Sequence, residues 1–142
     1  MNGIGEDSVE NSHEFYDETT RHFVFVEDDG SVAYAYLLDS DQNIVGDVWL
    51  YNVGPAPVEP PWSLAESEPP FKNPKRYIRS GGDISPIIEP SEIAVSWVSK
   101  DGVLIQAQVS IRGEKVAVLS PGKSPGWSSL VSEDGPLALC AE

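Results

Sequence analysis

Few residue combinations in this chain are of the right type and spacing for chemistry, and each meets a physical objection. Gly122-Lys123-Ser124-Pro125-Gly126 spells G-x-S-x-G, the nucleophile elbow of serine hydrolases. In that elbow the residue after the serine lends its backbone N–H to the oxyanion hole, and Pro125 has none. Both histidines, His13 and His22, precede the serine, and no helical pattern follows it. A phosphate-binding loop would need glycine five residues before Gly122, where Ala117 stands. Asp39, Asp41 and Asn43 occupy the first three ligand positions of a calcium loop. Ile44 then replaces the bend glycine and Leu50 the bidentate glutamate, so a tight turn stabilised by local side-chain bonds is the better reading. His13 and His22, with Glu14 and Asp17 nearby, lack the cysteines or helical spacing of a closed zinc site. Cys140 lies in an apolar tail without an activating base and reads as an inert buried thiol. No catalytic residue, metal or cofactor is expected, and the chain reads as a non-enzyme. A glycosidase-like carboxylate pair is not recognisable by spacing alone. Asp47 stands apart from the other acids, because it interrupts an apolar run beside Trp49. A carboxylate there is either exposed or paired, and both make it a contact point.

The elements that must position these residues are strands. His22–Val26 and Ser31–Leu38 flank Asp29-Gly30, a hairpin signature, and the turn Asp39–Asn43 leads into a third strand, Ile44–Tyr51. A two-residue turn sets Phe25 opposite Tyr34 and Phe23 opposite Tyr36, a face joined by Val48 and Leu50 and assigned to the core. The other face carries Val24, Val26, Leu37, Val45, Asp47, Trp49 and Tyr51, too apolar for a wetted surface, so a second layer or a partner covers it. A second meander starts near Glu92. Val103, Ile105, Ala107, Val109 and Ile111 alternate with polar residues, which places them on a buried face. A three-residue loop, Lys100-Asp101-Gly102, then sets Trp97 opposite Ile105 and Val95 opposite Ala107. A Gly113-Glu114 turn sets Ile111 opposite Val116 and Val109 opposite Val118. VEDDG and VSKDG coincide at an offset of 72 residues, which indicates a repeated architecture. The expected fold is all-β, with two antiparallel three-stranded meanders forming a β-sandwich or partly open barrel and little helix.

The order along the chain is an acidic N-terminal segment, residues 1–21, partly disordered, then a single β domain over residues 22–142. Ser12 is placed to cap a short helix through Tyr16 to Thr20. Residues 52–74 hold seven of the 12 prolines and read as a covering or recognition loop. Within it Pro61 starts a helical turn running to about Ser67, and Trp62 and Phe71 are its anchors. Ile84–Ile88 reads as a short edge strand at best, and Pro136–Cys140 as a last strand. Residues 1–70 hold 15 carboxylates against Arg21 alone, a net of −14, whereas residues 71–142 are neutral. Such a field repels nucleic acid and anionic membrane and favours a basic partner. One cysteine excludes an internal disulfide, and no apolar run approaches a membrane span, so the chain reads as soluble and cytoplasmic.

These features point to an interaction module, an immunity-type inhibitor that neutralises a basic protein such as a toxin or enzyme, acting as a monomer or dimer. Asp39, Asp41, Asp47, Trp49, Tyr51 and Trp62 are the expected partner-binding residues. The alternative is a carbohydrate- or small-ligand-binding β-sandwich, with Trp49, Trp62 or Trp127 stacked on a sugar ring.

Overall fold

The computed structural model describes residues 11–53, 55–63, 70–79 and 90–140. Residues 1–10 of the segment expected to be partly disordered, and the edge strand expected at Ile84–Ile88, lie outside the described residues. Four strands, β1 (Asn11–Asp17), β2 (His22–Asp28), β3 (Val32–Leu38) and β4 (Ile44–Asn52), form one antiparallel sheet in chain order. A second sheet runs β5 (Ile93–Lys100), β6 (Val103–Ile111), β7 (Glu114–Leu119), β8 (Trp127–Ser128) and β9 (Leu139–Cys140), with only the β8–β9 pair parallel. The sheets do not close into a barrel and their arrangement is compatible with a sandwich. Both three-stranded meanders are present; the first gains β1, from the segment expected to precede the β domain, and the second gains β8 beside β9, which lies in the expected last strand.

The helix expected over Tyr16–Thr20 is instead the end of β1 and a turn. Asp17 accepts the Thr20 hydroxyl at 2.7 Å and the Thr20 N–H at 3.3 Å, and Arg21 takes φ 61°. Aromatic Phe15 and Tyr16 and two threonines suit a pleated surface better than a helix.

Which face of the first sheet is buried is reversed from expectation. Val24, Val26, Ala35, Leu37 and Val48 are fully buried, whereas Phe23, Phe25 and Tyr36 are only half-buried on the opposite face. Small and β-branched side chains fill the narrow space between facing sheets, where Ala107, Val109, Ala117 and Leu119 meet them. Tyrosine hydroxyls placed there would need buried acceptors. The register also slides by two residues, to Phe25↔Tyr36 and Val26↔Ala35. The slide comes from the turn: Asp28 Oδ1 accepts the Gly30 N–H at 2.9 Å, and Asp29 Oδ1 accepts those of Ser31 and Val32 at 2.9 and 3.0 Å. These bonds move the two-residue turn on by one, to Gly30-Ser31, flanked by the Asp29 N–H donating to the Val32 carbonyl at 3.2 Å and by the Asp28↔Ala33 pair.

The second sheet departs at the same kind of place. Asp101 (φ 54°) and Gly102 (φ 81°) make the two-residue turn after all, with Lys100↔Val103 closing it. The conflict of faces this creates is removed by a bulge: Val98 pairs with Gln106 and Ser99 with Leu104, leaving Ile105 extra. Leu104 is therefore inside, while Val103 and Ile105 are 66% and 46% exposed, and Trp97 faces Ala107. Arg112-Gly113 is the next turn, and a bulge at Val116 lets both Val116 and Ala117 be buried, with Val109 opposite Ala117.

The sheets join at β4. Its outer edge accepts from Gly122 N–H at Val45 (2.8 Å) and from Gly126 N–H at Asp47 (2.7 Å), and its Trp49 N–H donates to Leu137 (3.1 Å). That edge is consequently covered over its centre.

Candidate functional site

The outer face of the first sheet is set by the period-2 alternation and by the registers. Across the four strands the rows read Tyr16–Phe23–Leu38, then Glu14–Phe25–Tyr36–Asp47, then Ser12–Glu27–Tyr34–Trp49. Five of these side chains are Tyr or Phe, three are carboxylates, and none is basic. Tyr16, 49% exposed, lies against Phe23 with ring centroids 4.7 Å apart. Tyr34 and Tyr36 stack side by side at 6.1 Å and 14°.

The proline-rich segment closes one end of this face. The Tyr34 hydroxyl donates to the Phe71 carbonyl at 2.8 Å, and Asn52 and Asn73 exchange bonds of 2.8 and 2.9 Å between Asn52's amide and Asn73's backbone. Trp49 donates its indole N–H to Asn52 Oδ1 at 3.0 Å. Pro61–Ser63 is a single 3-10 turn; the remainder of the helical turn expected to about Ser67 lies outside the described residues. Trp62 packs on Phe71 and on Tyr77, with centroids 6.2 Å away in each case. Arg76 lies over the Tyr77 ring at 5.0 Å and pairs with Glu133 at 3.4 Å, so it answers its own neutral half of the chain rather than the acidic one.

Asp47 is held where two shallow clefts meet. One, of about 420 Å³, is lined by Tyr34, Tyr36, Asp47, Pro70, Phe71 and Leu137. The other, about 330 Å³, runs from Ile44 past Gly46 to Gly122 and Ser124. Ser124, 77 residues away in sequence, donates its hydroxyl to Asp47 Oδ1 at 2.6 Å. A hydroxyl given to a carboxylate orients that carboxylate and does not create a nucleophile. His22, the nearer candidate base in type, donates from Nδ1 to the Thr20 carbonyl at 2.9 Å in the β1–β2 turn.

The other expected contact residues separate. Trp49 and Tyr51 are 1% and 2% exposed, so the chain itself, rather than a partner, covers them. Tyr51 lies on the inner face and donates to Asp28 Oδ2 at 2.9 Å. Asp39 is spent on its turn: Oδ1 accepts the N–H groups of Asn43 (2.9 Å) and Asp41 (3.0 Å). The Asn43 N–H above all holds its carboxyl below the usual aspartate range; desolvation opposes this, and the Asp41 N–H adds to the lowering. Asp41 is exposed at the tip of the same turn. Of the six, Asp47 is the one beside the open clefts. Tyr34, Tyr36, Phe71 and Ser124 were not singled out for binding. The Phe/Tyr alternation is visible in the sequence, where it has the pattern of a core face, and nothing in sequence spacing announces the Asp47–Ser124 contact.

No family model, curated protein or solved structure matches this chain.

Burial, then the neighbouring Tyr36, raises the Tyr34 hydroxyl above the ordinary phenol range; the bond to Phe71 opposes this, and Asp47 and Asp29 add to it. Tyr36 is raised by burial, then by Glu27, Asp47 and Asp29. Folded-state values above the unfolded ones give stability that is full below about pH 10, the unfolded value, and lost as pH rises toward the folded value. The urea midpoint is expected to fall on going from about pH 9.5 to 11.5, and Tyr34→Phe to flatten that fall. An equally steep alkaline limb in Tyr34→Phe would place the effect elsewhere.

Proposed function

We propose that the chain is a protein-binding module that takes a basic partner on the outer face of the β1–β4 sheet, in the manner of an immunity-type inhibitor of a basic toxin or enzyme. The observation that carries this is the composition of the three cross-strand rows: an aromatic centre, the carboxylates of Glu14, Glu27 and Asp47, and no cation among them. Half-buried aromatic rings supply contact area with little rotamer entropy to lose, and surrounding carboxylates accelerate capture of a cationic surface. The net charge of −14 acts in the same direction.

Among the described residues no helix is long and apolar enough to cross a membrane. The single cysteine supports a cytoplasmic setting, since no internal disulfide is available to this chain. The protein acts as a monomer or dimer on a protein target, with no nucleic acid and no cofactor in its function.

The test is capture of partners at low salt followed by elution in a salt gradient, on the native chain and on Glu14→Lys/Glu27→Lys. A stoichiometric basic protein, released as salt rises and weakened by the double substitution, is the expected result. No enriched basic protein, or one indifferent to both salt and substitution, removes this reading. The near-parallel Tyr34–Tyr36 pair beside Asp47 favours one second reading, a sugar-binding platform. Glycan binding that is insensitive to salt would select it.

A further inference from the structure

We propose that the cleft shared by Tyr36, Phe71 and Asp47 is a guanidinium subsite, which receives one arginine side chain of the basic partner. This rests on the reading above and gives it a specific anchor.

The geometry supplies what a guanidinium needs, aromatic rings beside a carboxylate. Tyr36 is the direct cross-strand neighbour of Asp47, and both line the same cleft with Phe71 and Tyr34. The cleft therefore joins aromatic rings to a carboxylate. A planar cation stacks on aromatic faces while its N–H fork meets carboxylate oxygens. Asp47 has an oxygen to offer: Oδ1 accepts from Ser124, and Oδ2 carries no hydrogen bond among the described residues. The Ser124 bond fixes the carboxylate's rotamer before anything binds, which removes an ordering cost from recognition.

Charge favours a cation in the cleft. The ion pairs among the described residues, Arg76–Glu133 and Arg112–Glu92, do not involve Asp47. Glu14 and Glu27 lie on the same sheet face, one in the Asp47 row and one in the next. A neutral apolar side chain would leave the Asp47 carboxylate desolvated without a partner, whereas a guanidinium satisfies it. Lysine carries the charge but lacks the flat face and the fork. At about 420 Å³ the cleft exceeds one side chain, so the partner's backbone and neighbouring residues occupy its open part.

The experiment titrates the intact protein with N-acetyl-arginine amide and, separately, with N-acetyl-citrulline amide, its neutral isostere, following tyrosine ring and backbone amide resonances. Saturable shifts centred on Tyr36, Phe71 and Asp47 with the arginine probe are expected. Citrulline should bind about tenfold or more weakly, and Asp47→Asn, which keeps the side-chain shape and an acceptor for Ser124, should lose a similar factor. Equal binding of the two amides, or unchanged arginine binding in Asp47→Asn, overturns the subsite, as does the absence of saturable shifts. The citrulline comparison needs no variant to fold. The two readings fail separately. Arginine binding without capture of any basic protein refutes the partner reading and leaves the subsite. A captured basic protein whose affinity is unmoved by Asp47→Asn and Tyr36→Leu refutes the subsite and leaves the partner.

Discussion

Trp49→Ala is expected to cost about 3–5 kcal/mol of stability, the range for truncating a buried indole or phenyl side chain. Trp49 is 1% exposed, and its N–H satisfies Asn52 Oδ1, the same oxygen that accepts from the Asn73 N–H. Removing the ring opens a cavity and takes one donor from the clasp that holds the proline-rich segment over the sheet. Chemical denaturation should show the loss as a lower midpoint at similar slope. Trp49→Phe should retain more than half of the stability lost in the alanine variant, because it keeps most of the apolar volume and forfeits one hydrogen bond. A loss under about 1 kcal/mol in the alanine variant would mean that the ring is a surface group and that the segment does not seal it. The consequence for function is direct. A binding defect in Trp49→Ala reports unfolding of the clasp, so the site must be probed at Asp47 and Tyr36.

What the sequence made legible follows from where its signals are strong. Strand identity and the two meanders are carried by β-branched and aromatic runs interrupted near Asp29-Gly30, Asp101-Gly102 and Gly113-Glu114, and turns fall at or within one residue of these breaks, the last of them at Arg112-Gly113. Which face is buried was not legible in the first sheet, because Phe23/Phe25/Tyr34/Tyr36 and Val24/Val26/Ala35/Leu37 are both apolar sets of period 2. Hydrophobicity alone does not choose between them; the fit of small side chains between sheets and the needs of tyrosine hydroxyls do. Phase was lost again at four bulges, where Val45, Leu50, Ile105 and Val116 are each the extra residue. A bulge inverts every later side chain on its strand, and no residue type marks it in advance. The two copies of the V-x-x-D-G motif illustrate the limit. Asp101-Gly102 forms a two-residue turn with both φ positive, whereas at Asp29-Gly30 only Gly30 has positive φ. The difference lies in Asp28 and its neighbour, whose carboxylates take up three backbone N–H groups. Asp47 was readable as a site residue for a reason that survives: a charge in an apolar strand needs a partner or water. Its partner, Ser124, comes from the far end of the chain through tertiary contact alone.

Gly126→Ala is expected to couple that contact to the stability of the whole fold. Gly126 is buried at the junction of the sheets, donating to the Asp47 carbonyl at 2.7 Å and accepting from the Leu139 N–H at 2.8 Å. A Cβ at this position would collide with the Val118 carbonyl oxygen and would also meet Val48 Cβ at 3.4 Å. Neither obstacle is the flexible end of a long side chain, so backbone must move. The cost of such overpacking is typically about 1–3 kcal/mol. The movement has two directions, toward β7 or toward β4, and the second displaces the segment that presents Ser124 to Asp47. The expected result is therefore a lowered denaturation midpoint together with weaker arginine-amide binding under conditions where the variant is still folded. Ser124→Ala supplies the comparison, since it should weaken binding with a much smaller loss of stability. If Gly126→Ala folded with native stability, the close approach of β8 to β7 and β4 would be wrong. If it lost stability but bound the probe as the native chain does, the Ser124 bond would not be what orients Asp47.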